Sequence, residues 1–177
     1  MYTYVYDSFV TAKRHERVLS RVETRLTDLG ISGRIERLTM FKNIEEIVAD
    51  VASQGCETIV AVGNDGTVGR LIDAVGEHEM AFGIIPIGDG PHSIANLLGV
   101  EEGFEACNIL SRRVLHTVDL GRINGHHFLS SVRIPRTRAA ISCNGQYSVI
   151  PTEDNEVQVC NLAPVSVNAD GAQTISS

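Results

Sequence analysis

Along the first 110 residues the apolar positions switch repeatedly between the short runs of strands and the three- and four-residue spacing of helices. Tyr2 to Tyr6 is a run of aromatic and β-branched residues, followed by Asp7-Ser8 and a long helical pattern that ends before Gly30. In that helix Val18, Val22, Leu26 and Leu29 share a face while Arg17, Arg21, Glu23 and Arg25 fall mainly elsewhere, so one face packs on a sheet. Gly33 to Thr39 predicts a second strand. Asn43, with Glu46 three residues on, opens a helix carrying Ile44, Ile47, Val48 and Val51, and Gly55 closes it. Thr58 to Val62 suits a strand buried on both faces, and Leu71, Ile72 and Val75 mark the helix after it. Phe82 to Pro86 predicts a fourth strand, from which a glycine-rich loop leads to a short helix near Ser93 to Leu98.

Four strand-helix alternations predict parallel strands joined by right-handed crossovers. The expected class is α/β, with a doubly wound, mostly parallel sheet covered on both faces and formed by residues 1–110. Beyond Leu110 the pattern changes, and residues 111–177 are expected to form a short antiparallel β segment. Val114, Val118 and Leu120 share one strand parity, and Phe128 to Ile134 is strand-like. Asn144-Gly145, between Ala140-Ile141-Ser142 and Tyr147-Ser148-Val149, is a hairpin signal, and Val157 to Cys160 adds a strand. Asn168 to Ser177 is expected to fray. The β edges of this segment make a homodimer, with a cleft between subunits, an expected assembly.

Length and composition narrow this picture only modestly. A chain of 177 residues, 43% hydrophobic and 21% charged, fits one globular domain, alone or with a small appendage. A net charge of −7 gives no basic field for nucleic-acid phosphates, so nucleic acid is not an expected partner. The longest apolar runs, such as Ile59 to Val62 and Phe82 to Ile87, fall short of the roughly 20 residues of a membrane span, and no apolar signal core opens the chain. These features predict a soluble, cytoplasmic protein. Cys56, Cys107, Cys143 and Cys160 lack the spacing of a redox or zinc motif and read as reduced, mostly buried small hydrophobes.

Ligands of open parallel sheets sit beyond the carboxyl ends of the strands, where strand-to-helix loops and helix N-termini gather. Three loops meet there: Asp7-Ser8, Gly63 to Thr67, and Ile87 to Ser93. Gly63 and Gly66 bracket Asn64-Asp65, which lets backbone N–H groups approach a phosphate, and Thr67 is placed to cap the following helix. Asp65 suits a divalent cation, held directly or through water, or the orientation or deprotonation of an attacking hydroxyl. The same Asn-Asp-Gly run is also good turn chemistry, and spacing alone does not decide between the two. Gly88, Asp89 and Gly90 form the second glycine loop. His92, His126 and His127 read as surface residues, and Arg112 with Arg113 as a solvated charge pair.

Taken together, these residues resemble the diacylglycerol kinase catalytic-domain family. Gly63-Asn64-Asp65-Gly66-Thr67 is similar to its Gly-Gly-Asp-Gly-Thr signature, with Asn64 at the second glycine. Gly83 to Gly88 followed by Ala95 and Leu98-Gly99-Val100 resembles its Pro-x-Gly-Thr-x-Asn-x-x-Ala loop and helix, with Asp89 at the threonine. Val118 to Gly125, with Phe128 after it, resembles the strands that link its two domains. The resemblance implies an ATP- and magnesium-dependent kinase acting on a lipid or small-alcohol hydroxyl. Asp65 would be the catalytic and metal-linked carboxylate, and Asp7, Ser8, Gly63, Asn64, Gly66, Thr67, Gly88, Asp89 and Gly90 would border the nucleotide. The substituted loops and the short C-terminal part imply an alternative, a non-catalytic nucleotide-binding or regulatory relative on the same scaffold.

Overall fold

The computed structural model describes residues 1–39, 43–135, 140–143, 145–151 and 156–162. Its centre is a parallel sheet of β1 (Tyr2–Tyr6), β2 (Arg34–Arg37), β3 (Thr58–Gly63) and β4 (Ala81–Pro86), in the order β2-β1-β3-β4. The chain steps outward from β1 to β2, then returns across β1 to β3, so the direction of winding reverses between β1 and β3. With right-handed crossovers that reversal puts the first connecting helix on one face and the next two on the other. Tyr4 lies beside Val60 and Val5 beside Ala61 in the β1–β3 register, and alternate residues feed two separate cores.

On one face, α1 (Glu16–Asp28) and α5 (Phe104–Ser111) cover Tyr4, Tyr6, Val60, Val62 and Ile85 with Val22, Leu26, Ala106 and Cys107. On the other, α2 (Ile44–Ser53), α3 (Asp65–Val75) and the short α4 (Ser93–Leu97) cover Val5, Ile59, Ala61 and Ile84. Burying each large aliphatic side chain in such a core contributes about 1.5–3 kcal/mol. Cys107 belongs to the first core, where burial pushes its thiol up to about 11 and leaves it inert at neutral pH. Cys56 and Cys160 are likewise free thiols; the side chain of Cys143 lies outside the described residues.

The elements expected within residues 1–110 are present with corrections at their ends. Two 3-10 turns, Ser8–Thr11 and Lys13–His15, occupy the start of the first helical pattern, and α1 begins only at Glu16. Its buried face carries Val22 and Leu26, whereas Val18 is 40% exposed at the margin. The second strand is shorter than Gly33 to Thr39, although the Leu38 amide still donates to the Tyr6 carbonyl at 2.8 Å. Asn43 caps α2 through the amide of Glu45, and Gly55 takes the left-handed conformation after it (φ 76°).

The later strands form three antiparallel pairs: β5 (Gly121–Ile123) with β6 (His126–Phe128), β7 (Ser131–Ile134) with β10 (Val157–Cys160), and β8 (Ile141–Cys143) with β9 (Tyr147–Val149). Phe128 to Ile134 is thus not one strand. Leu129 turns into the core, and the Ser130 carbonyl accepts from the amides of Asn161 and Leu162. Residues 113–120 form no strand; Val114, Val118 and Leu120 are exposed, since among the described residues no neighbouring strand pairs with them. Asn144 of the expected hairpin turn lies outside the described residues, as does the stretch from Asn168 to Ser177 expected to fray.

The β5–β6 pair is anchored on α3. His127 is not the surface residue its sequence position suggests: its side chain is 12% exposed and rests on Gly76, where an added Cβ would come within 2.5 Å of Nδ1. His126 is exposed, and its Nδ1 meets Asp73 Oδ2 at 2.8 Å while the His127 amide donates to Asp73 Oδ1 at 2.7 Å. Burial pushes the Asp73 carboxyl up, but the His127 amide and the two imidazoles outweigh it and hold it below the usual carboxylate range. A depressed folded-state value gives stability that is present above the unfolded value near pH 4 and is lost as pH falls through the folded one. Acid unfolding should therefore weaken Asp73's contribution below about pH 4, and Asp73→Asn should flatten that part of the profile, as followed by circular dichroism between pH 6 and pH 2.

Candidate functional site

Three loops leave the carboxyl edge of the sheet around the β1/β3 reversal, and their side chains interlock. Asp7, directly after β1, is only 6% exposed, and its amide donates to Val62 O of β3 at 3.1 Å. Its carboxylate accepts from Thr67 Oγ1 at 2.7 Å, from Ser8 Oγ at 3.3 Å, and from the Arg70 guanidinium. Asp7 therefore fastens the end of β1 to the first turns of α3. Among the described residues the Ser8 hydroxyl finds no side-chain partner beyond this carboxylate.

Asn64, not Thr67, caps α3. The Asn64 backbone is extended (φ −103°, ψ −174°), and its Oδ1 accepts from the amides of Gly66 at 3.1 Å and Thr67 at 3.3 Å. Thr67 stands inside the first turn, fully buried, which frees its hydroxyl for Asp7. Gly63 makes this possible, because a Cβ there would lie 2.3 Å from Thr67 Oγ1.

Asp65 faces the second glycine loop. Its Oδ2 accepts from the amide of Ser93 at 2.9 Å and from the Ser93 hydroxyl, and its Oδ1 accepts from the amide of Ile94 at 3.0 Å. The carboxylate thus holds the start of α4, a helix too short to be stable alone. Gly88 and Gly90 have φ of 104° and 115°, a backbone region that disfavours any side chain. A Cβ on Gly88 would strike the Phe9 ring at 2.3 Å, and one on Gly90 would lie 2.8 Å from Asn64 Nδ2. Asp89 projects outward and pairs with Arg14 at 2.7 Å, while its carbonyl accepts from Asn64 Nδ2 at 2.9 Å.

His92 also departs from its expected surface position. It is 8% exposed, its Nδ1 sits 2.7 Å from Glu102 Oε1, and its Nε2 is buried without a hydrogen-bond partner among the described residues. Arg112 and Arg113 are exposed, as expected of a solvated pair.

The structure therefore brings Asp7, Ser8, Gly63, Asn64, Asp65, Gly66, Thr67, Gly88, Asp89 and Gly90 to one edge, but in a closed arrangement. The α3 amides suited to a phosphate are occupied by Asn64, so a nucleotide phosphate does not fit the turn as it stands. Among the described residues no three His, Cys, Asp or Glu side chains gather to hold a metal. Asp65 uses three of the about four acceptor positions of a carboxylate, which leaves one for a metal-bound water. A shallow concavity of about 270 Å³, lined by Ser20, Arg21, Thr24, Arg25, Asp28 and Phe104, runs along α1 and includes none of these residues. Among the described residues no helix is long and apolar enough to cross a membrane.

Comparison with known proteins bears on the same stretch. The diacylglycerol kinase catalytic domain model matches residues 2–123. A "Probable lipid kinase YegS-like" protein of Xanthomonas oryzae pv. oryzae (strain MAFF 311018) is 28% identical over 119 residues, covering 63% of this chain and 36% of that protein. A protein of the same description from Xanthomonas euvesicatoria pv. vesicatoria (strain 85-10) is 32% identical over 91 residues, covering 47% and 29%. The chain thus spans about a third of the length of these curated relatives. In fold it is similar to a putative diacylglycerol kinase from Bacillus anthracis str. Sterne, with a TM-score of 0.64 at 20% identity over 76% of this chain and 50% of the other. With the whole parallel sheet and all three loops inside the matched range, the chain belongs to the diacylglycerol kinase catalytic domain family.

Proposed function

We propose that this chain is the nucleotide-binding part of an ATP-dependent, lipid-kinase-type phosphotransferase that acts on a hydroxyl of a lipid or small alcohol. The observation that supports this is the meeting of the Gly63–Thr67 turn with the Ile87–Ser93 loop at the β1/β3 reversal, inside the range matched by the family model. The names of the relatives, lipid kinase and diacylglycerol kinase, point the same way.

In this reading the two glycine loops border the phosphates. Asp7 does not touch nucleotide itself but sets the height of the α3 N-terminus through Thr67 and Arg70. Asp65 is the catalytic and metal-linked carboxylate, and it also registers the second loop against the first. Magnesium, when bound with nucleotide, would neutralise phosphate charge. The cytoplasm, with its supply of ATP, is the fitting compartment. A homodimer formed through the exposed β edges is the proposed assembly, to be checked by sedimentation at micromolar concentration.

Asn64 favours a second reading, a binding or regulatory relative without turnover, because its carboxamide satisfies the donors a phosphate needs. Calorimetric titration with ATP, with and without magnesium, followed by ADP release in the presence of diacylglycerol vesicles, separates the two. Binding strengthened by magnesium together with lipid-dependent ADP release is the result expected. Binding without turnover would leave the second reading, and no binding at millimolar ATP would remove both.

A further inference from the structure

We propose that Asn64 is a built-in occupant of the phosphate-binding turn, a latch that closes the loop after β3 onto the loop after β4 and must swing out before a phosphate enters. The proposal rests on the nucleotide-binding reading above and adds to it a means of restraint.

Five contacts define the latch. Asn64 Oδ1 lies 3.1 Å and 3.3 Å from the amides of Gly66 and Thr67, the donors that a phosphate oxygen would take at the start of an eleven-residue helix. Asn64 Nδ2 donates across the cleft to the Asp89 carbonyl at 2.9 Å. The Asp65 amide is taken by the Pro91 carbonyl at 3.0 Å, and the Val68 amide by the Asn64 carbonyl at 3.0 Å. Every backbone donor from Asp65 to Val68 thus has an internal acceptor. Gly90 leaves the room the side chain needs, and on the outer side Asp89 is tied to Arg14, just ahead of α1. A glycine at position 64 would uncover the two amides and cut the tie to Asp89.

The restraint is reversible on chemical grounds. A neutral carboxamide makes hydrogen bonds about half as strong as those of a charged phosphate oxygen, so a phosphate can displace it and the lost contacts subtract from its affinity. Asn64→Gly keeps most of the capping preference, and Asn64→Asp keeps both amide contacts while losing the donor to Asp89.

The test is calorimetric titration of wild type, Asn64→Gly and Asn64→Asp with magnesium ATP, with inorganic tripolyphosphate, and with adenosine, after thermal unfolding has verified that each variant is folded. Asn64→Gly should bind ATP and tripolyphosphate about tenfold more tightly than wild type, and Asn64→Asp about tenfold more weakly, with adenosine unchanged. Equal ATP affinity in wild type and Asn64→Gly, or a matching gain for adenosine, would overturn the latch and leave nucleotide binding standing. Absence of binding by all three proteins at millimolar ATP would overturn the latch and the nucleotide reading together.

Discussion

Gly63→Ala is expected to destabilise the protein by about 2–4 kcal/mol and to abolish any nucleotide binding at the turn. Gly63 ends β3 in a fully buried position, and the new Cβ would sit 2.3 Å from Thr67 Oγ1 and 2.8 Å from Thr67 Cβ. Thr67 has no exposed surface into which to retreat, and its hydroxyl is committed to Asp7. Overpacking of this kind costs about 1–3 kcal/mol, and losing a hydrogen bond to a carboxylate costs about 1.5–3 kcal/mol. Part of each cost is relieved by a shift of α3, which would carry the Asn64 cap away from its amides. Urea unfolding measures the loss, and a change below about 1 kcal/mol would mean that Thr67 is not wedged where the structure puts it.

Asp65→Asn is expected to lower phosphoryl transfer, if turnover is found, by about a hundredfold or more. Two causes contribute and can be separated. The amide replaces one acceptor by a donor facing Ser93 and Ile94, which loosens α4; it also removes the charge assigned to the metal and the attacking hydroxyl. Ser93→Ala cuts only the hydroxyl contact to Asp65 and leaves the carboxylate in place. If Asp65 acts chemically, Ser93→Ala keeps most of the turnover while Asp65→Asn loses it. Equal losses in both, tracking their losses in melting temperature, would reduce Asp65 to a clamp between the loops.

Those two residues show what the sequence made legible. The order of strands and helices followed from hydrophobic period alone, because buried strands and amphipathic helices leave different spacing. That the two glycine loops share an edge followed from topology. What spacing could not convey is which atom takes which partner. Asn64 and Thr67 are both good caps, and the choice between them turned on a buried acceptor, Asp7, far away in sequence. His127 gave no signal because its burial depends on the bare surface of Gly76, and His92 because Glu102 lies one loop further on. Residues 113–120 carry a strand's parity but lack a neighbour to pair with among the described residues, and pattern without a partner does not make a strand.

Gly90 bears on how this protein can drift. Its missing side chain is the space that Asn64 Nδ2 fills, so the two positions form a lock-and-void pair. A bulkier residue at 90 meets the Asn64 side chain unless 64 shrinks, and a glycine at 64 would relieve that steric demand, leaving the φ of 115° at Gly90 as the remaining constraint. Substitutions that open the turn must therefore arise at 64 first, which gives mutation a preferred order along this edge of the sheet.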